Sequence, residues 1–224
     1  MINKKNVLVV TAHPDDEALG CGGSIAYFSS LGYKIYLLVL SDGVSSRESS
    51  DNGVKELRKI ALHKSGEILG IDKIYQEDFP DNSMDSVPLL SIVNRIERII
   101  DVVKPIVVFT HHLGDMNIDH KLTHQAVMTA CRPVPELSVK EIYTFEVVSS
   151  TDWGFDDSVF SPNMYIDISS YLNLKIKALE IYDSEMRSSP HSRSIEHCKA
   201  LAVHRGHSVG LSAAEAFMVV RILH

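Results

Sequence analysis

Two short clusters in this chain carry most of the side chains that can bind a metal or move a proton. The first is Ala12-His13-Pro14-Asp15-Asp16-Glu17, directly after the apolar run Val7-Leu8-Val9-Val10. The second is Asp115-Met116-Asn117-Ile118-Asp119-His120, soon after the β-branched stretch 106–110. Carboxylates sunk into a core without partners are heavily penalised. The open carboxyl end of a strand is where α/β proteins tolerate them and build sites. His13, Asp16 and His120 together give two imidazoles and one carboxylate, a set suited to Zn²⁺ with one position left for water. A cation there acidifies water and polarises a carbonyl, and the neighbouring Asp15 can take the water's proton as general base. A His-Pro-Asp turn alone reads as well as a helix start, with Asp15 or Asp16 accepting backbone N–H groups. Capping does not predict a second acidic, His-bearing loop at the same sheet edge.

Positioning these residues requires an alternating fold. Residues 6–11 read as a buried strand, 17–31 as a helix, and 34–40 as a second buried strand ending at Ser41-Asp42-Gly43. A polar loop over 44–53 precedes a helix over 54–69 that stops at Gly70. A short strand over 73–76, an amphipathic helix over 89–103, a strand over 106–110, a helix over 119–130 and a strand over 141–148 follow. Beyond a polar loop over 149–162 the pattern predicts a strand at 163–168, a helix at 171–186, a turn-rich loop at 188–194 and a helix to about 205. The last segment, 216–223, fits strand or helix. The alternation predicts an α/β, Rossmann-like, mostly parallel sheet with helices on both faces, in a single domain spanning 1–224. In such a sheet both clusters emerge at one edge. The run Gly20-Cys21-Gly22-Gly23-Ser24 is expected to let the first helix pack close to the first strand.

Composition narrows the function classes. A net charge of −7 with no basic block excludes a general nucleic-acid or anionic-membrane binder. No apolar run approaches the length of a membrane span, and the apolar segment behind Lys4-Lys5 is too short for a signal peptide. Three separated cysteines, Cys21, Cys131 and Cys198, fit free thiols in a reducing cytoplasm. Cys21 reads as a packed thiol.

With both clusters in view, the chain resembles the PIG-L/LmbE family of zinc-dependent N-acetylglucosamine deacetylases. The resemblance rests on A-H-P-D-D-E, Ser41-Asp42-Gly43, Arg58, Leu69-Gly70 and the D-x-N-x-D-H loop. It implies His13, Asp16 and His120 as ligands of Zn²⁺ or another divalent transition metal, and Asp15 as general base. It also implies an N-acetylated amino-sugar substrate, free or carried on a nucleotide or other carrier, and a possible homo-oligomer. Thr110-His111-His112, 163–167 and Pro190-His191-Ser192-Arg193-Ser194 look like members found with polysaccharide and sugar-nucleotide synthesis. Many members carry H-P-D-H in the second motif, where this chain has Asn117. An amide can donate to an oxyanion but is no acid near neutral pH. Another group must then protonate the amine, or Asp15 must return the proton it accepts; His191, with Arg193 beside it, is the candidate for the missing imidazole, in this subunit or reaching over a neighbour's site.

Arg58 is expected to hold a sugar hydroxyl or phosphate, or else to be an exposed helix arginine. Asp81, in Pro80-Asp81-Asn82, faces the sugar or shapes a turn. His112 is taken to line the cleft, and Arg193 to bind substrate. His120 and His124 share the i, i+4 spacing of a zincin, but Lys121 replaces the glutamate. His124 then packs or supports the site, and His63, His197, His204, His207 and His224 read as surface or structural. Two alternatives stay open: a zinc hydrolase of another N-acyl amide, and a nucleotide-binding or transferase module cradling phosphate on 20–23, whose glycines lack G-x-G-x-x-G order.

Overall fold

In the computed structural model, residues 5–46, 52–154 and 158–223 are described. Seven strands, β1 (Asn6–Thr11), β2 (Lys34–Val39), β3 (Lys73–Gln76), β4 (Val107–His111), β5 (Glu141–Phe145), β6 (Met164–Asp167) and β7 (Ala214–Ile222), form one sheet in the order β3-β2-β1-β4-β5-β7-β6. The first five in that order are mutually parallel, and β7 runs antiparallel between β5 and β6. The final segment is therefore a strand, and it starts at Ala214.

Strand residues of both parities are apolar because both faces of the sheet are covered. Val7, Val9, Ile35 and Leu37 pack beneath α1 (Asp16–Ser30), α2 (Asn52–Leu69), α5 (Leu172–Ile181) and α6 (Ile195–His207). Leu8, Val10, Leu38 and Leu40 face α3 (Leu89–Val103) and α4 (Ile118–Ala130). On α3, Ile92, Val93, Ile96, Ile100 and Val103 form the buried stripe that 3.6-residue periodicity requires. Strand order reverses between β1 and β4, so the loops after these two strands diverge and leave a crevice at their carboxyl ends. Both clusters lie there.

The glycine run does not serve β1. Gly20 lies against the Phe145 ring of β5, and a Cβ on Gly23 would come within 2.8 Å of Ile168. The helix breaks between them, at Cys21 (φ −146°, ψ 24°), which frees backbone groups on either side. Glu215 of β7 accepts from Gly23 N (2.9 Å), Ser24 N (2.7 Å) and Ser24 Oγ (2.6 Å). Lys175 of α5 donates to the Leu19 carbonyl (2.7 Å) and to Glu215 (2.6 Å). One buried ion pair thus closes both ends of the break. It also takes the Gly23 N–H, one of the backbone donors a phosphate cradle on 20–23 would use, and sets a buried carboxylate there, which disfavours a phosphate.

Two elements are shorter than the pattern predicts. Strand β5 ends at Phe145, because the chain turns at Val147 and Ser149 takes a left-handed φ of 74°. Helix α5 ends at Ile181, where Tyr182 leaves helical geometry (φ −88°, ψ 42°). Cys21, Cys131 and Cys198 are buried free thiols. Among the described residues, no helix is long and apolar enough to cross a membrane.

Candidate active site and metal centre

The first cluster occupies the turn from β1 into α1. Its tightest point is Asp15, at φ 101° and ψ −28°, a left-handed conformation that costs a side-chain-bearing residue on the order of 1 kcal/mol or more. The surroundings over-determine it. The Asp15 carbonyl accepts from Ala18 N (3.0 Å) and Leu19 N (2.9 Å), while its own N–H donates to Glu17 Oε2 (3.0 Å). Gly43 packs on the same turn: a Cβ there would meet Pro14 Cδ at 3.1 Å and His13 Cβ at 3.3 Å.

The Asp15 side chain makes no capping bond to its helix. Its Oδ2 is held by Arg193 Nη1 (3.0 Å) and Arg58 Nη2 (3.2 Å). Arg58 is buried, not an exposed helix arginine: it also donates to the Pro14 carbonyl, pairs with Glu185 (3.2 Å) and lies over the Tyr182 ring (5.2 Å). Arg193 donates through Nε to Ser149 Oγ (3.0 Å). His191 is exposed, and its Nδ1 accepts from Arg193 N (3.0 Å). The turn therefore delivers Arg193 to Asp15 of its own chain.

His13, Asp16 and His120 converge. Asp16 Oδ2 lies 3.5 Å from His13 Nδ1, and Asp16 Oδ1 lies 3.4 Å from His120 Nε2. Two donors on one tetrahedral zinc, with bonds of about 2.0–2.1 Å, stand about 3.3–3.4 Å apart, so the spacing suits a shared cation. Each imidazole is backed by a carboxylate on its far nitrogen. Asp119 Oδ2 is 3.0 Å from His13 Nε2, and Asp115 Oδ2 is 3.0 Å from His120 Nδ1. With a cation on the near nitrogens, that arrangement would keep the remaining proton of each ring on its far nitrogen. Asp16 Oδ1 is buried with no hydrogen-bond partner among the described residues. An orphaned carboxylate oxygen against His120 Nε2, on a carboxylate whose other oxygen lies against His13 Nδ1, fits a bound divalent cation.

The carboxylates that back the histidines are closed off in turn. Asp119 accepts from Asn82 N (2.7 Å) and Met84 N (3.0 Å). Asp115 accepts from Thr151 Oγ1 (2.7 Å), Ser150 Oγ (3.0 Å) and Asn117 N (2.8 Å). Asp81 sits 3.3 Å from His13 Nε2 and accepts from Ser46 N and Oγ (3.1 and 2.6 Å), so it walls the site and holds a turn together.

These contacts set the charge states. Burial disfavours the His13 imidazolium, but Asp119 and Asp16 outweigh it and raise the pKa to about 9. Burial also opposes protonation of His120, where Asp16 and Asp115 prevail and lift it to about 10. Asp16 is held well below the usual carboxylate range because His120 and His111 outweigh its burial. His111 falls to about 4 through burial and the charge of His120. Its Nε2 accepts from Ala12 N (2.9 Å), and its ring stacks on His120 at 3.9 Å.

Between the two strand-end histidines, His111 is therefore the one against the centre, and His112 sets Nε2 2.8 Å from the Ser158 carbonyl oxygen. Asn117 caps α4: its Oδ1 accepts from Asp119 N (2.8 Å) and His120 N (3.4 Å), and its Nδ2 donates to Asn82 Oδ1 (3.2 Å). His124 lies 2.9 Å from the His111 carbonyl through Nδ1, in a supporting position.

Residues 8–131, more than half of the chain, match the family described as PIG-L: GlcNAc-PI de-N-acetylase. The chain belongs to the PIG-L family. It is 30% identical to the uncharacterized deacetylase YaiS of Escherichia coli, over 81% of this chain and 92% of that one. It is 24% identical to the diacetylchitobiose deacetylase of Thermococcus kodakarensis, over 96% and 83%. The fold also superposes on GalB, the 4-carboxy-2-hydroxymuconate hydratase of Pseudomonas putida, with a TM-score of 0.79 and 24% identity, over 98% of each chain. The fold is therefore shared with a hydratase, and a 4-oxalmesaconate hydratase of Pseudomonas putida is also 26% identical to this chain, whereas the matched family and the two relatives above carry deacetylase names.

Asp115, Asp119, Glu17, Tyr182 and Glu185 carry no assignment from sequence reasoning. Asp115 and Asp119 stand in the motif that supplies His120, and a buried acid needs a partner; that was the available signal. Glu185 and Tyr182 follow α5 with no motif around them.

Proposed function

We propose that this PIG-L protein is a zinc-dependent amidohydrolase that removes acetyl from an N-acetylglucosamine-type amino sugar. The observation that carries the reading is the Asp16 carboxylate set between His13 Nδ1, on its Oδ2, and His120 Nε2, on its otherwise unpartnered Oδ1, next in sequence to a carboxylate that neither caps a helix nor belongs to that set. His13 Nδ1, Asp16 and His120 Nε2 would hold the cation, which, when bound, supplies Lewis acidity to water and to the amide carbonyl.

Asp15 takes the proton of the attacking water and returns it to the departing nitrogen. Asn117 cannot carry that proton, and its amide oxygen is spent on the α4 cap. His191 keeps an Nε2–H, and its Nδ1 sets the turn bearing Arg193. Arg193, about a fifth exposed, is the member of the Asp15 network open to solvent, and it binds the sugar or its carrier. Arg58, buried, orients Asp15. Asp81 and His112 shape the cleft walls around the sugar. The chain acts as a single domain.

The test is acetate release from a panel of N-acetylated amino sugars, free, nucleotide-linked and lipid-linked, with metal content measured on the same sample. Equal amounts of acetate and free amine from at least one member, together with one zinc per chain, are expected. A metal-loaded protein that deacetylates no amino sugar but cleaves another N-acyl amide would overturn the assignment of substrate.

A further inference from the structure

The Asp15 turn is held from a second direction that the reaction above does not use. Glu17 is fully buried one residue beyond Asp16, yet it belongs to neither the metal set nor the arginine network. Its Oε2 accepts the N–H of Asp15 (3.0 Å). Its Oε1 accepts from the Tyr182 hydroxyl (2.6 Å) and from Ser65 Oγ (3.1 Å). The elements that reach Glu17 are the ones that reach the Asp15 carboxylate. Ser65 and Arg58 both lie on α2, two helical turns apart. Tyr182 and Glu185 both lie just past α5, and Glu185 holds Arg58. Tyr182 touches both limbs, with its ring beneath Arg58 (5.2 Å) and its hydroxyl on Glu17.

We infer that Glu17 and Tyr182 are positioning residues for Asp15. The Tyr182 hydroxyl fixes the Glu17 carboxylate, which pins the left-handed Asp15 N–H and so aims the Asp15 side chain. A backbone at φ 101° has no intrinsic preference to stay there; without the Glu17 acceptor the turn relaxes and the carboxylate swings with it. A displacement of about 1 Å already costs turnover, because a base must meet its proton within hydrogen-bond distance. The inference rests on Asp15 being the general base.

The experiment is a double-mutant cycle between Tyr182→Phe and Asp15→Asn, with kcat, KM, bound metal and unfolding midpoint measured on each variant. Tyr182→Phe keeps the ring under Arg58 and removes only the hydroxyl. In the wild-type background it is expected to lower kcat by roughly 10- to 10²-fold with KM and metal content unchanged. Asp15→Asn lowers kcat by roughly 10²–10⁴-fold, and in that background Tyr182→Phe should have almost no further effect, since its route to the reaction is already cut. An equal loss in both backgrounds, or no loss in either, overturns the positioning role. Full turnover in Asp15→Asn overturns the reading of the base instead, and the inference with it.

Glu17→Gln and Glu17→Ala supply a second arm that does not depend on Tyr182→Phe folding. The amide keeps an acceptor for Asp15 N–H, so Glu17→Gln is expected to retain most of kcat while Glu17→Ala loses it. Equal losses in the two would mean that the charge of Glu17, and not its geometry, is what matters.

Discussion

Two regions of this molecule bury charge at comparable depth and use it in opposite ways. At the break in α1, Lys175 and Glu215 form an ion pair in which the carboxylate takes three hydrogen bonds besides the lysine, and the ammonium also reaches a carbonyl. Nothing there is left open. At the β1/β4 crevice, Asp115 and Asp119 are closed just as thoroughly, but the closure stops one layer short. Asp16 Oδ1 has no hydrogen-bond partner among the described residues, and the ring nitrogens His120 Nε2 and His13 Nδ1 stand 3.4 and 3.5 Å from the two oxygens of its carboxylate. Buried charge by itself is therefore no sign of chemistry in this chain. An open valence framed by closed ones is.

Breaking each region should give a different phenotype. Replacing His120 or His13 with Ala removes one of the three proposed ligands, so bound metal should fall to background and activity with it, while the sheet stays folded. Metal analysis and circular dichroism of the same sample test this, and a variant that keeps one metal per chain would show that the three-residue set is not the site. Lys175→Met should do the reverse. It leaves Glu215 buried without its counter-ion and Leu19 without its donor, a change that typically costs about 3–5 kcal/mol of stability, while turnover per folded molecule is unchanged. Urea unfolding alongside active-site titration separates the two effects, and a loss of turnover with intact stability would mean that the helix break belongs to the site.

How much of this difference the sequence discloses depends on whether it is local. The strand at 6–11, the turn after it and the helix at 89–103 stand where hydrophobic periodicity puts them, since both faces of each strand and one stripe of each helix announce themselves in neighbouring residues. His13, Asp16 and His120 could be paired before the structure because a parallel sheet delivers both loops to one edge. What could not be read is which carboxylate meets which partner. Arg58 looks like any helix arginine until Asp15 and Glu185 close on it. Glu215 sits in a strand whose own pattern says nothing of the broken helix 191 residues earlier, from whose Ser24 N–H it accepts. The end of α5 departs from its pattern for the same reason: the apolar spacing continues to Met186, but Tyr182, outside helical geometry, is held by partners on α1 and α2.

A finer break in the comparison is Asp119→Asn. Asp119 is closed by backbone donors and reaches the centre through His13 Nε2. The amide keeps the shape but weakens the hold on the imidazole proton, so metal affinity should drop by about 10–100-fold with little change in fold stability. Competition with a chelator of known affinity measures it. Unchanged affinity would make Asp119 a loop anchor only.

The smallest effect sharpens the same contrast through pH. Without metal, His13 and His120 titrate at about 9 and about 10, burial being outweighed by the acids around each, so both are imidazolium at pH 7. Their pKa values are raised on folding above the roughly 6.5 of an unfolded histidine. The stability they contribute is therefore fully present below about pH 6.5 and is lost as pH rises towards 9–10, so metal-free protein should be less stable at pH 9 than at pH 6. Metal uptake requires both lone pairs, His13 Nδ1 and His120 Nε2, and must expel both protons. Near pH 7, calorimetry in buffers of different ionisation enthalpy should thus report about two protons released per ion bound, falling as the pH of the experiment passes about 9. Release of none would mean that the histidines are already neutral in the metal-free protein, and that the acids around them do not hold the centre in the protonated state.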